Sequence, residues 1–199
     1  MATYVLIHGA GSDSWYWHLV VPLLEERGHD VVAVDLPCDD DSAGLRDYAD
    51  AVVDAIGDRT DLIVVAQSMA GFTAPLICDR LPVQLLVLVA AMVPLPGESP
   101  GDWWANTGHE EAMRRHAEAD GREPGFGDPA AMFLHDLPPD VAAEAMTRTP
   151  QPVRHPVRAA LAAGRVARRA DRVPPLPRRP PLPGRLHATS RPRAARDRP

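Results

Sequence analysis

Four apolar, β-rich runs lie within the first 91 residues: TYVLIHG (3–9), DVVAVDL (30–36), DLIVVAQ (61–67) and VQLLVLVAA (83–91). Each is continuous rather than alternating. A strand with one wet face alternates apolar and polar residues, so unbroken runs point to strands buried on both faces, as in a parallel sheet covered by helices. The intervals between them have helical texture. Trp15 to Arg27 reads as a helix closed by Gly28. Leu45, Tyr48, Ala49, Val52, Val53 and Ile56 recur at helical spacing, with Ser42 as the expected N-cap. A third helix is expected from about Met69 to Leu81. Strand–helix–strand repeated in this way predicts right-handed crossovers and a doubly wound, mostly parallel α/β sheet.

After Pro94 the texture changes. PLPGESPGDWWANTG reads as a loop, followed by helical segments at Glu110–Ala119, Ala130–Leu134 and Asp140–Thr147. This organisation predicts a core over 1–93 and a helical lid over 94–150, packed across the carboxyl edge of the sheet where ligands bind. Residues 151–199 form a third region. Their VPPLPRRPPLPGR stretch is excluded from helices and central strands, because proline lacks the donor and restricts its neighbour. A disordered tail is the expectation there.

Charge divides along the same line. Residues 1–150 hold 25 of the 27 acidic side chains and 8 of the 21 basic ones, whereas 151–199 carry 13 arginines and 2 acids. The net charge of −6 therefore describes neither part.

The chemistry concentrates at VVAQSMAGFT (64–73), where a buried strand stops at Ser68 and restarts in small residues. Ala66 stands two before the serine, Ala70 two after, and Gly71 next. This is a nucleophile-elbow pattern with alanine at both usual glycine positions. The turn is tight and only minimal side chains fit beside it. The hydroxyl is then exposed at the sheet's edge, with the Met69 N–H in the first turn of the helix facing a developing oxyanion. A serine that merely caps an ordinary helix would leave a similar pattern.

The N-terminal stretch YVLIHGAGSDSWYWHLVVPLLEERGHDVVAVDLP resembles the opening of small α/β-hydrolases, especially the branch containing plant methylesterases and hydroxynitrile lyases. The resemblance covers residues 3–93 in detail and extends loosely to about 147. It implies an α/β-hydrolase fold in which a His-Gly pair ends the first strand and the next backbone N–H, that of Ala10, is the second oxyanion donor. It also makes His8 a structural histidine under that loop rather than a base. The lyases it resembles carry threonine after the strand-end histidine and a catalytic-site lysine; here Gly9 follows His8 and the chain has no lysine. An esterase is therefore expected. No cofactor and no metal are implied: Asp39, Asp40 and Asp41 lack neighbouring His or Cys at ligand spacing and read as a solvated loop. Trp103 and Trp104 either line the acyl pocket or pack the lid on the sheet. The longest apolar run, Leu85–Val93, is too short for a bilayer span. Cys38 and Cys78 have no metal or redox spacing, and no leader pattern opens the chain, so a cytoplasmic protein is expected.

A serine nucleophile needs a histidine base and a carboxylate to orient it, and in this fold both follow the lid. After residue 150 the chain offers His155, His187, Asp171 and Asp197, all in Pro/Arg text. None has the family's context. Shifting the reading by one base from Val153 changes this: with permissible wobble bases, the text rereads as SGTPFEQPWPLAAWPDVPTG and continues as a strand, an acidic turn and an amphipathic helix. The tail is thus expected to be the right gene in the wrong frame, with the α/β-hydrolase's C-terminal third lost. The expected function is acyl transfer from small carboxylic esters to Ser68, impaired here for lack of the triad acid and histidine. The ester is the expected partner, with no nucleic acid or membrane, and the oligomeric state is left open. The alternative is a non-catalytic interaction protein whose tail presents Pro174, Pro177 and Arg179 to polyproline-binding grooves, or arginines to phosphates.

Overall fold

The structure, a computed structural model, describes residues 1–40, 42–121, 130 and 133–148. Four parallel strands form one sheet: β1 (Thr3–Ile7), β2 (Asp30–Val34), β3 (Leu62–Gln67) and β4 (Val83–Val89), in the order β2-β1-β3-β4. Side chains on β1 and β3 alternate between two apolar layers. Val5, Ile7, Leu62, Val64 and Ala66 face the larger core, shared with α2 (Leu45–Ile56) and α3 (Ala70–Cys78). Leu6 and Val65 face the other side, where Trp17, Val21 and Leu24 cover them from a 3₁₀ turn (Ser14–Trp17) and α1 (Val21–Glu25). Both faces of β1 and β3 are covered, which accounts for their unbroken apolar runs. The expected doubly wound parallel architecture is what the chain adopts.

Local departures from expectation have local causes. The helix expected over Trp15–Arg27 is two pieces, because Pro22 cannot donate a backbone hydrogen bond and sits in the first turn of α1. Helix α2 is capped by Gly44 rather than Ser42: the Asp47 carboxylate accepts from the Gly44 N–H at 2.7 Å. Ser42 instead turns toward Asp40, whose Oδ1 accepts from both the Ser42 N–H and its hydroxyl. The stretch expected as a loop after Pro94 contains a helix, α4 (Pro100–Asn106). Ser99 Oγ accepts from the Asp102 N–H at 3.1 Å, the Asp102 carboxylate bonds back to Ser99, and Pro100 occupies the first turn. This is a capping box. Two further helices follow, α5 (His109–Ala119) and α6 (Pro139–Arg148). Of the expected segment at Ala130–Leu134, only residues 131 and 132 lie outside the described residues, and the Leu134 N–H donates to Ala130 O at 2.9 Å, a helical bond; all of 151–199 lies outside.

Strand β4 differs from the other three. Among the described residues only β3 pairs with it, and Leu85, Leu88 and Val89 are exposed. Cys38 is buried and Cys78 half-buried, both unpaired, and burial pushes both thiols above their ordinary pKa. They are held as protonated, weak nucleophiles. No helix among the described residues is long and apolar enough to cross a membrane.

Candidate active site

The strand order places a crevice before any side chain is considered. From β1 the chain crosses to β2 on one side, then returns past β1 to β3 on the other. The loops leaving β1 and β3 therefore diverge, and the gap at the carboxyl ends of these neighbours is where open α/β sheets bind ligands. Gly9 and Ala10 leave β1 at this point, and Ser68 and Met69 leave β3.

Ser68 is half-buried and has a left-handed backbone, φ 52°, which costs about 1 kcal/mol or more for a residue with a side chain. Surrounding hydrogen bonds hold it there. Its N–H donates to Val89 O at 3.2 Å, and its carbonyl accepts from Gly71 N–H at 3.1 Å and Met92 N–H at 2.9 Å. The end of β4 thus clamps the turn from both sides. Gly71 permits this approach: a Cβ there would run into the Met92 carbonyl, whose carbon would lie only 2.9 Å away. Gly71→Ala is expected to cost about 3 kcal/mol, since the obstacle is backbone and cannot rotate away. Urea unfolding measures it; a cost under about 1 kcal/mol would show that the clamp can yield.

The other side of the crevice is equally close. A Cβ on Gly9 would lie 2.8 Å from Ser68 Cβ and would also collide with the Gln67 side chain, so the first loop rests directly on the serine. Helix α3 begins at Ala70, with Met69 at its N-cap and no side-chain cap. Among the described residues, neither the Met69 nor the Ala10 N–H has a hydrogen-bond partner. The two donors named in the sequence thus flank the serine by position in the fold.

His8 is 1% exposed beneath this loop. Its Nε2 accepts from Leu36 N–H at 3.2 Å and its Nδ1 lies 2.7 Å from Gly9 O. Burial holds its pKa below the ordinary 6.5, against weaker opposing contributions from Gly9 O, Asp35 and Asp13. The unfolded chain therefore binds a proton that the folded one refuses. Stability from this group is complete above about pH 6.5 and is lost as pH falls below it. Unfolding midpoints taken from about pH 8 to about pH 5 should drop more steeply for the native chain than for His8→Gln.

The lid meets the core beside the crevice. The Trp103 ring lies edge-on to Phe72 of α3 at 6.5 Å, and its Nε1–H donates to Val93 O. Trp104 packs edge-on against His109. Glu98, buried, ties the lid's entry by accepting from Leu95 N–H and Asn106 Nδ2, a role the sequence did not single out. From α6, the Arg148 guanidinium lies over the Trp15 ring at 5.2 Å and 3.6 Å from the Asp13 carboxylate, next to the Ala10 loop.

No imidazole among the described residues is hydrogen-bonded to Ser68, and no group of three His, Cys, Asp or Glu is arranged to hold a metal. His155, His187, Asp171 and Asp197 lie outside the described residues.

The chain is 36% identical to Methylesterase 7 of Arabidopsis thaliana, over 46% of this chain and 40% of that protein. It is 29% identical to norfluorocurarine synthase 1 of Strychnos nux-vomica, over 63% of this chain and 52% of that protein. The chain spans about half the length of the curated relatives it matches. An extracellular α/β-hydrolase from a Paenibacillus species superposes with a TM-score of 0.58 at 22% identity, over 75% of this chain and 66% of that one, a likeness of fold. The family model described as "Alpha/beta hydrolase family" matches residues 4–198, and with the parallel sheet and its switch-point crevice this establishes that the chain belongs to the α/β-hydrolase family.

Proposed function

We propose that the chain carries the nucleophile and oxyanion half of a serine esterase acting on small carboxylic esters. The observation that carries the reading is the left-handed Ser68 at the β3–α3 junction, clamped by β4 and set against the Gly9–Ala10 turn. Ser68 Oγ attacks the ester carbonyl carbon, and the carbonyl electrons move onto oxygen, where the Met69 and Ala10 N–H groups stabilise the charge. A histidine oriented by a carboxylate takes the Oγ proton and returns it to the departing alkoxide. Water then releases the acid from the acyl-serine. The methylesterase among the relatives supports an ester as substrate. The two unpaired cysteines support a reducing, cytoplasmic setting.

The base and acid belong, on this reading, to the segment after residue 150, displaced from frame near Val153. The family match runs on to residue 198, so the genomic sequence around codons 148–155 is the deciding observation. As it stands the chain should hydrolyse p-nitrophenyl acetate barely above background, because a serine without its base loses several orders of magnitude in rate. Turnover near about one per second, abolished by Ser68→Ala, would show that a histidine of this chain completes the site.

A further inference from the structure

We propose that His8 is a positioning residue for the oxyanion pocket, holding the Gly9–Ala10 peptide so that the Ala10 N–H points into the crevice beside Ser68. The inference rests on the serine-esterase reading and adds the device that aims one of its donors.

Hydrogen-bond chemistry decides the tautomer. Leu36 N–H is a donor, so the Nε2 atom 3.2 Å away must carry the lone pair. The single proton of the neutral ring is then on Nδ1, which donates to Gly9 O at 2.7 Å. Burial at 1% exposure and the depressed pKa keep the ring neutral at physiological pH, so the assignment is stable there. The Gly9 carbonyl and the Ala10 N–H belong to one planar trans peptide and point in opposite directions. A hydrogen bond that fixes the carbonyl inward toward the imidazole therefore fixes the N–H outward. Leu36, just beyond β2, anchors the ring from the neighbouring strand, and the proximity of Gly9 to Ser68 places this peptide at the serine. The two ring nitrogens thus have separable tasks: Nε2 joins the ends of β1 and β2, and Nδ1 orients the donor.

Two amide substitutions divide those tasks. In His8→Asn the side-chain amide would occupy the region of Nδ1 and supply a donor to Gly9 O. In His8→Gln the longer side chain places its oxygen near Nε2, able to accept from Leu36 N–H. The readout is acetylation of Ser68 by excess p-nitrophenyl acetate in the full chain, followed by mass spectrometry. Without a triad base this slow step reports binding and the oxyanion donors, which in other serine hydrolases sustain about 10³-fold residual catalysis. His8→Asn should acetylate within about threefold of the native rate and His8→Gln at least about tenfold slower, since losing an oxyanion donor costs about 10²–10³-fold. A structural role alone would slow both in step with their unfolding midpoints, and that result overturns the proposal. Should either variant fail to fold, ¹H–¹⁵N spectra of the native imidazole still decide: protonated Nδ1 with bare Nε2 supports the assignment, and the opposite tautomer overturns it. A native chain that leaves no adduct on Ser68 overturns the serine reading itself and this proposal with it. Equal rates in the two variants, with Ser68 labelled, overturn this proposal alone.

Discussion

On the proposed frameshift, restoring the reading frame by one base near codon 150 is expected to raise ester hydrolysis by about three orders of magnitude or more, because a serine triad acts as a unit and its residual activity is small when the base is missing. The crevice holds Ser68, clamped through Val89 and Met92, and on the proposed reading the Met69 and Ala10 N–H groups at the ends of β3 and β1 are its oxyanion donors. What the described residues lack is an imidazole bonded to the serine. The restored product should run past residue 199 and acquire an acidic turn and then a histidine. Its hydrolysis of p-nitrophenyl acetate should vanish with Ser68→Ala and fall steeply when the restored histidine is replaced, with the fold intact by circular dichroism. Serine-directed phosphonate reagents should label the restored protein at Ser68. A restored protein that folds but leaves Ser68 unreactive would sink the account, as would genomic DNA that permits no alternative frame.

Self-association through β4 is the second large effect expected. The strand VQLLVLV carries no charge and no proline, pairs on one side only among the described residues, and exposes Leu85 at 53% and Leu88 at 43%. Natural edge strands are blunted by lysines, prolines or bulges, and an uncharged apolar edge is a template for pairing with another chain. At the opposite edge, β2 opens on Asp30, which is ion-paired with Arg59 at 2.7 Å. Sedimentation of the chain as it stands should show oligomers or aggregates that grow with concentration. Leu85→Lys with Leu88→Lys should shift it toward monomer without loss of helical signal, and the frame-restored protein should be monomeric at this edge without substitution. A native chain that stays monomeric at high concentration, with one sharp unfolding transition, would contradict the prediction.

Much of this was legible in the sequence because it depends on local content. Unbroken apolar runs marked all four strands within a residue or two, because a continuous apolar stretch is a property of each strand's own composition, whether its faces end up covered, as in β1 and β3, or exposed, as in β4. Small residues around Ser68 marked the elbow, because only they fit where strand and helix turn sharply. The capping box at Ser99–Asp102 was equally available, but the surrounding Pro-Gly pairs read as loop, and α4 was missed. Other features had no local signal. That β3 rather than β2 occupies the far side of β1 decides where the crevice lies, and parallel neighbours are chosen by packing of helices on both faces, not by any one segment. The clamp of Met92 on the Ser68 carbonyl, the need for Gly71 and the two-sided bonding of His8 all join residues far apart in the chain. Local sequence thus determined which residues could be strand, helix or tight turn. Tertiary structure alone decided which of those turns meet, because hydrogen-bond geometry and close approach exist only once the sheet has brought its strand ends together.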